Sequence, residues 1–129
     1  MLNSYFHQLQ SFINKRKPKK KTEQIMIRKV FIMQLKPNNQ AEYIRRHNPI
    51  WVELAMMLKA HGVHNYSIYL DQPTDQLFAY AEVESEAQWE AIANTEICRR
   101  WWVYMRDLMN TNADNSPATI TLKEVFHLD

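Results

Sequence analysis

With 129 residues, 46% of them hydrophobic and 23% charged, the chain has material for one domain around one core, and it falls outside the disordered classes. A single glycine leaves nothing to build a glycine-rich phosphate loop, which argues against P-loop and Rossmann-type nucleotide binding; the single cysteine, Cys98, excludes an internal disulfide and points to a reducing compartment. The net charge of +2 hides an asymmetry, because Lys15, Arg16, Lys17, Lys19, Lys20 and Lys21 hold six of the sixteen basic residues and leave a mildly acidic remainder.

Residues 1–25 carry a short apolar stretch (Tyr5, Phe6, Leu9, Phe12, Ile13) and then the lysine run. They have neither the apolar core nor the cleavage site of a secretory signal, and no run in the chain approaches the 18 apolar residues of a membrane span, so the cytoplasm is expected. The segment reads as a flexible basic extension, or as sequence upstream of a start at Met26. A nucleic-acid or anionic-membrane patch is the competing reading, and neither partner is expected. Residues 26–129 then form the domain.

Val30, Phe31, Ile32, Met33 and Leu35 make a continuous apolar run, the pattern of a central strand apolar on both faces. Gln40 to His61 reads as helix, interrupted at Pro49, with Asn48 as N-cap and Pro49 as the first residue of the second segment. Gly62 is the expected helix stop. Tyr66, Ile68 and Leu70 alternate with Ser67 and Tyr69 in a second strand; after a polar turn over 71–76, Leu77, Ala79, Ala81 and Val83 alternate with Phe78, Tyr80 and Glu82 in its antiparallel partner. Ser85 and Gln88 form a capping box for a helix to Ala93, and Thr95 caps the next helix, whose stripe is Ile97, Trp101, Tyr104, Met105 and Leu108. A polar loop over 110–117 precedes a final strand, Ile120 to Leu128.

Strand-helix-strand-strand-helix-strand is the order of the ferredoxin-like α+β fold, an antiparallel sheet with helices on one face. The other face would then carry large apolar side chains, and a second copy packed sheet against sheet is the simplest cover. A homodimer is expected.

Among residues that can carry chemistry, Tyr43 and His47 lie four apart and share a helix face. His47 at the helix break suits proton transfer near neutral pH, donors from the following helix helping to keep it uncharged; spacing alone favours the plainer reading, a ring that simply bonds a carbonyl at a kink. Trp101 and Trp102 project about 100° apart on one helix, so both cannot enter one core. Trp101 fits the apolar stripe, and Trp102 needs a partner, either in packing or against a sugar ring. His61 is explained by the last carbonyls of its helix, His61 and His64 lack a ligand cluster, and Cys98 reads as a small buried side chain, so neither a metal nor a cofactor is expected.

Four segments carry a resemblance. Tyr43-Ile44-Arg45-Arg46-His47-Asn48-Pro49-Ile50-Trp51 resembles the segment that holds the catalytic histidine of L-rhamnose mutarotases. His61 to Leu70 resembles their second motif, Cys98 to Met105 their tryptophan pair, and Asp114-Asn115-Ser116-Pro117 their late loop. The resemblance spans 26–129 and implies a dimeric α/β barrel that exchanges the α and β anomers of L-rhamnose without a cofactor. It further implies that His47 is the proton donor and that Tyr43, Tyr66, Trp101 and Trp102 contact the sugar. The same fold hosts haem-degrading enzymes and cofactor-independent monooxygenases, and a non-catalytic ligand-binding module is the other alternative.

Overall fold

The computed structural model describes residues 25–129 of the chain, so the basic segment, up to residue 24, lies outside the described residues. The first strand is β1 (Ile27–Gln34), followed by helices α1 (Gln40–Arg46) and α2 (Val52–Ala60). Strands β2 (Val63–Asp71) and β3 (Gln76–Val83) form a hairpin; α3 (Glu86–Ala91), a 3-10 turn (Ile92–Asn94) and α4 (Glu96–Met105) lead to a short β4 (Ile120–Thr121). The sheet is antiparallel with order β2-β3-β1-β4, the ferredoxin-like arrangement.

Period-two alternation fixes which face each side chain takes. On β3, Leu77, Ala79, Ala81 and Val83 are buried in strict alternation with half-buried Phe78, Tyr80 and Glu82. Register carries the split to β1: Phe31 and Met33 lie opposite Ala79 and Leu77 on the helix-covered face, while Val30 and Ile32 lie opposite Tyr80 and Phe78 on the open one. The covered face supports two core clusters. One gathers Met33, Leu35, Tyr43, Leu77, Ala79, Met105, Leu108 and Met109; the other gathers Val63, Ala81, Val83, Ile92 and Cys98.

The local signals act largely as read. Gly62 stops α2 with φ +73°, and a Cβ there would meet Glu84 at 2.8 Å, so both the turn and the close approach require glycine. The Ser85 hydroxyl accepts from the Gln88 N–H, and the Thr95 hydroxyl accepts from the Cys98 N–H. The reciprocal half of the capping box is missing, since Ser85 Oγ donates to Gln88 Oε1 instead. The first helix of that pair also ends at Ala91, and the 3-10 turn completes it.

Two expectations are corrected. The Asn48–Pro49 peptide is cis, and α2 begins only at Val52 with Trp51 as its N-cap, so Asn48 and Pro49 belong to the connecting turn. The last strand is far shorter than 120–128. After Leu122 N–H donates to Val30 O, the chain leaves the ladder. Arg28 instead holds the tail through Glu124 (2.8 Å) and His127 (3.1 Å), with Val125, Phe126 and Leu128 78–89% exposed.

Candidate active site

His47 closes α1 as its C-cap, and its ring returns over the turn that precedes it: Nδ1 lies 2.8 Å from Tyr43 O. A carbonyl oxygen only accepts, so Nδ1 carries the hydrogen and Nε2 is left with a free lone pair whenever the ring is neutral. The imidazole stacks on the Tyr43 ring (4.2 Å, 29° between planes) and meets the edge of Trp101 (5.2 Å, 86°). Burial among these rings holds its pKa below the usual 6.5, with the Tyr43 carbonyl pulling weakly the other way. Near pH 7 His47 is therefore a neutral ring with an accepting nitrogen. The carbonyl contact that the helix break suggested is present, and it leaves the second ring nitrogen uncommitted.

Arg46, next to it, was not singled out from sequence. Its guanidinium is largely buried, donates to Glu42 (2.8 Å), Tyr104 O and Asp107 (2.9 Å), and lies 4.4 Å above the Tyr104 ring. It ties the last turn of α1 to the end of α4, which fixes where His47 sits relative to Trp101. The Glu42–Arg46 spacing of four residues was a readable half of that network; its other half is long-range.

Tyr66 reaches the site through an irregularity. His64 pairs with Glu82 and Ser67 with Tyr80, so β2 carries one residue more than β3 in this interval, with Asn65 at φ +46°. Val63 and Ile68 are an odd number of residues apart yet both take the helix-covered face, opposite Val83 and Ala79. The bulge restores that parity and turns Tyr66 onto the same face, against Phe31 (6.5 Å) and Trp89 (6.4 Å). Its hydroxyl is pushed up to about 12, by burial first and then by the Cys98 thiol. Burial likewise lifts Tyr43 above the usual phenol range, with Tyr66 adding to it. Both phenols stay protonated at neutral pH.

Trp101 and Trp102 divide as helix geometry requires, Trp101 packing on the first core cluster and Trp102 on the second. Tyr43, His47, Tyr66, Trp101 and Trp102 all line one cavity of about 960 Å³. Aromatics unread from sequence complete the frame. Trp51 presses edge-on to Trp101 and stacks on Tyr104, while Trp89 packs with Phe31 and Tyr66. Each follows or sits in a segment too short for periodicity to register it. Elsewhere, His61 Nδ1 donates to Met57 O (2.8 Å), His64 Nε2 lies 2.9 Å from Glu84, and Cys98 is buried. Among the described residues no three His, Cys, Asp or Glu side chains converge.

An aromatic cavity with one neutral histidine and two protonated phenols suits proton transfer on an uncharged, ring-shaped polyol. The family model for L-rhamnose mutarotase matches residues 28–128. The chain belongs to the L-rhamnose mutarotase family. It is 60% identical over 103 residues to the L-rhamnose mutarotase of Klebsiella pneumoniae (strain 342), a match covering 80% of this chain and 99% of that one. The L-rhamnose mutarotase of Escherichia coli O8 (strain IAI1) is 58% identical over the same shares. The crystal structure of an L-rhamnose mutarotase from Formosa agariphila superposes with TM-score 0.74 at 41% identity, over 80% of this chain and 99% of the other. Rv0793 from Mycobacterium tuberculosis (TM-score 0.52, 10% identity, 81% and 100% coverage) shares the fold alone, that of the dimeric α/β barrels. Mutarotases are isomerases that exchange the anomers of a sugar, so the family is one of carbohydrate isomerases.

Proposed function

We propose that this chain exchanges the α and β anomers of L-rhamnose, with His47 as the group that moves the anomeric proton. The observation that carries the reading is the neutral His47, its Nδ1 committed to a carbonyl, in one cavity with the four other residues implied by the family resemblance. The free Nε2 makes His47 an acceptor in the opening step. It takes the proton of the anomeric hydroxyl as the bond between C1 and the ring oxygen breaks; that electron pair stays on the ring oxygen, which gains a proton, and C1 becomes the aldehyde. After rotation about C1–C2 the ring oxygen attacks the other face of C1 and gives its proton back to the group that supplied it. The imidazolium then returns its proton to the former carbonyl oxygen, so His47 is the donor of the closing step.

Tyr66 is the candidate for the opposite proton, because its phenol stays protonated and the residue lines the cavity while 37% exposed, whereas Tyr43 is nearly closed off beneath His47. Trp101 and Trp102 would stack on the sugar ring and the 6-methyl group. Acid/base assistance of this kind is worth roughly 10²–10⁴-fold. Anomer exchange over a panel of L- and D-sugars tests the reading: L-rhamnose should be accelerated most, and equal acceleration of D-glucose would contradict the assignment of substrate.

A homodimer completes the proposal. Support comes from the open sheet face, where Val30, Ile32, Phe78, Tyr80, Tyr69 and Ile120 form an apolar surface, and from the exposed apolar tail. Among the described residues no helix is long and apolar enough to cross a membrane, and a lone buried cysteine fits the cytoplasm.

A further inference from the structure

The cavity has a second wall that the aromatic residues do not explain. It is formed by the loop after α4, where Asn112, Asp114, Asn115 and Ser116 line the same space as His47 and the tryptophans. This loop is built rather than slack. Asn110 N–H donates to Gln34 O (3.0 Å), and residues 35 and 111 form bridges with Met109 and Pro117 that anchor its two ends. Within it, Asn112 N–H donates to Ser116 O (2.8 Å), Asn115 N–H to Asn112 O (3.0 Å), and Asn115 takes φ +70°.

The polar groups on this wall are mostly committed. Asn112 Nδ2 donates to Ser116 Oγ (3.0 Å), and Arg106 lies 3.5 Å from Asn115 Oδ1. Ser116 spends both its N–H (3.0 Å) and its hydroxyl (2.5 Å) on Oδ1 of Asp114. Among the described residues the other carboxylate oxygen, Oδ2, accepts nothing. These donations also hold the Asp114 carboxyl below the usual range, so it stays ionised and is unsuited to trading protons near pH 7. Of the remaining charged groups at the cavity, Lys29 is paired with Glu86 (2.5 Å), and Glu90 stands on an exposed helix face with no hydrogen bond fixing its side chain among the described residues.

A hexopyranose enters this space with hydroxyls that need acceptors as well as ring faces that need apolar cover. We propose that Asp114 is the specificity-determining residue of the site: its Oδ2 accepts hydrogen bonds from hydroxyls of the bound deoxysugar, and the Ser116 clamp fixes the direction in which it does so. The inference rests on the sugar-isomerase reading and deepens it, assigning recognition to the late loop and proton transfer to His47. A fixed anionic acceptor discriminates between a hydroxyl that reaches it and one that does not, because the wrong epimer forgoes a charge-assisted hydrogen bond.

The test is Asp114→Asn, near-isosteric and on an exposed loop, assayed by anomer exchange on L-rhamnose and on 6-deoxy sugars epimeric at C2 or C4. KM for L-rhamnose should rise roughly ten- to a hundredfold, with kcat little changed and the preference over one epimer reduced by a similar factor. Ser116→Ala, which keeps the carboxylate and removes its clamp, should give a smaller rise in KM. Unchanged KM and unchanged epimer preference in Asp114→Asn would overturn the proposal, as would the same losses arising from Glu90→Gln instead. Should Asp114→Asn fail to fold, by circular dichroism, Ser116→Ala decides alone, and an unaltered KM counts against it. A wild-type protein that exchanges no sugar at all would instead bring down the reading on which this one rests.

Discussion

At the scale of single residues, the acid/base role proposed for His47 depends on which nitrogen is free and on the ring being neutral. Burial lowers its pKa below the usual 6.5, so the working base persists to more acid pH than an exposed histidine would allow. The acid limb of kcat/KM should accordingly have its midpoint below 6.5, and a midpoint above 7 would mean that the protonated ring is the active form. Stability follows the same sign. Between the folded pKa and 6.5 the unfolded chain binds the proton that the folded chain excludes, so this residue's contribution is lost as pH falls through that window. Tyr66→Phe should lower kcat while leaving KM near its wild-type value, because a ring that only packs would move neither. Much of this residue set was legible: the Tyr43–His47 spacing and the 100° between Trp101 and Trp102 are properties of a helix. What could not be read was the tautomer, which depends on a 2.8 Å approach to one carbonyl, or Arg46, whose partners are Tyr104 at the end of another helix and Asp107 in the turn after it.

At the scale of elements, the site is assembled by interruptions of regular structure. A helix stop at Gly62, a bulge at Asn65 and a two-helix break at residues 47–51 each redirect a functional side chain or the strand that carries it. Gly62→Ala should destabilise the chain by roughly 1–2 kcal/mol, since it combines a left-handed backbone with a 2.8 Å approach to Glu84; a thermal melt within a degree of wild type would contradict that. Composition and alternation located the four strand regions and the order of the helices. They missed the bulge because Tyr66, Ile68 and Leu70 alternate correctly among themselves, and only Val63, on the far side of it, betrays the shift in parity. They overextended β4 because alternation past Leu122 is compatible with a strand, whereas pairing requires a neighbour that the single chain does not supply.

At the scale of the whole molecule, one face of the sheet carries helices, cores and cavity, and the other carries exposed aromatic and aliphatic side chains. Light scattering should return twice the chain mass, and Phe78→Glu with Tyr80→Glu should return the monomer; a wild-type monomer at micromolar concentration would contradict the proposed sheet-to-sheet pairing. The division also explains why one small domain can hold a wide cavity, because the core is split into two clusters and the tryptophan pair stands between them. All of it converges on whether the imidazole moves the anomeric proton. Saturation-transfer NMR of L-rhamnose, exciting one anomer and reading the other, measures that exchange without coupling enzymes. The wild-type protein should accelerate transfer, and His47→Ala, folded by its circular dichroism, should lose roughly 10²–10⁴-fold of the acceleration; a His47→Ala protein exchanging at the wild-type rate would contradict the account.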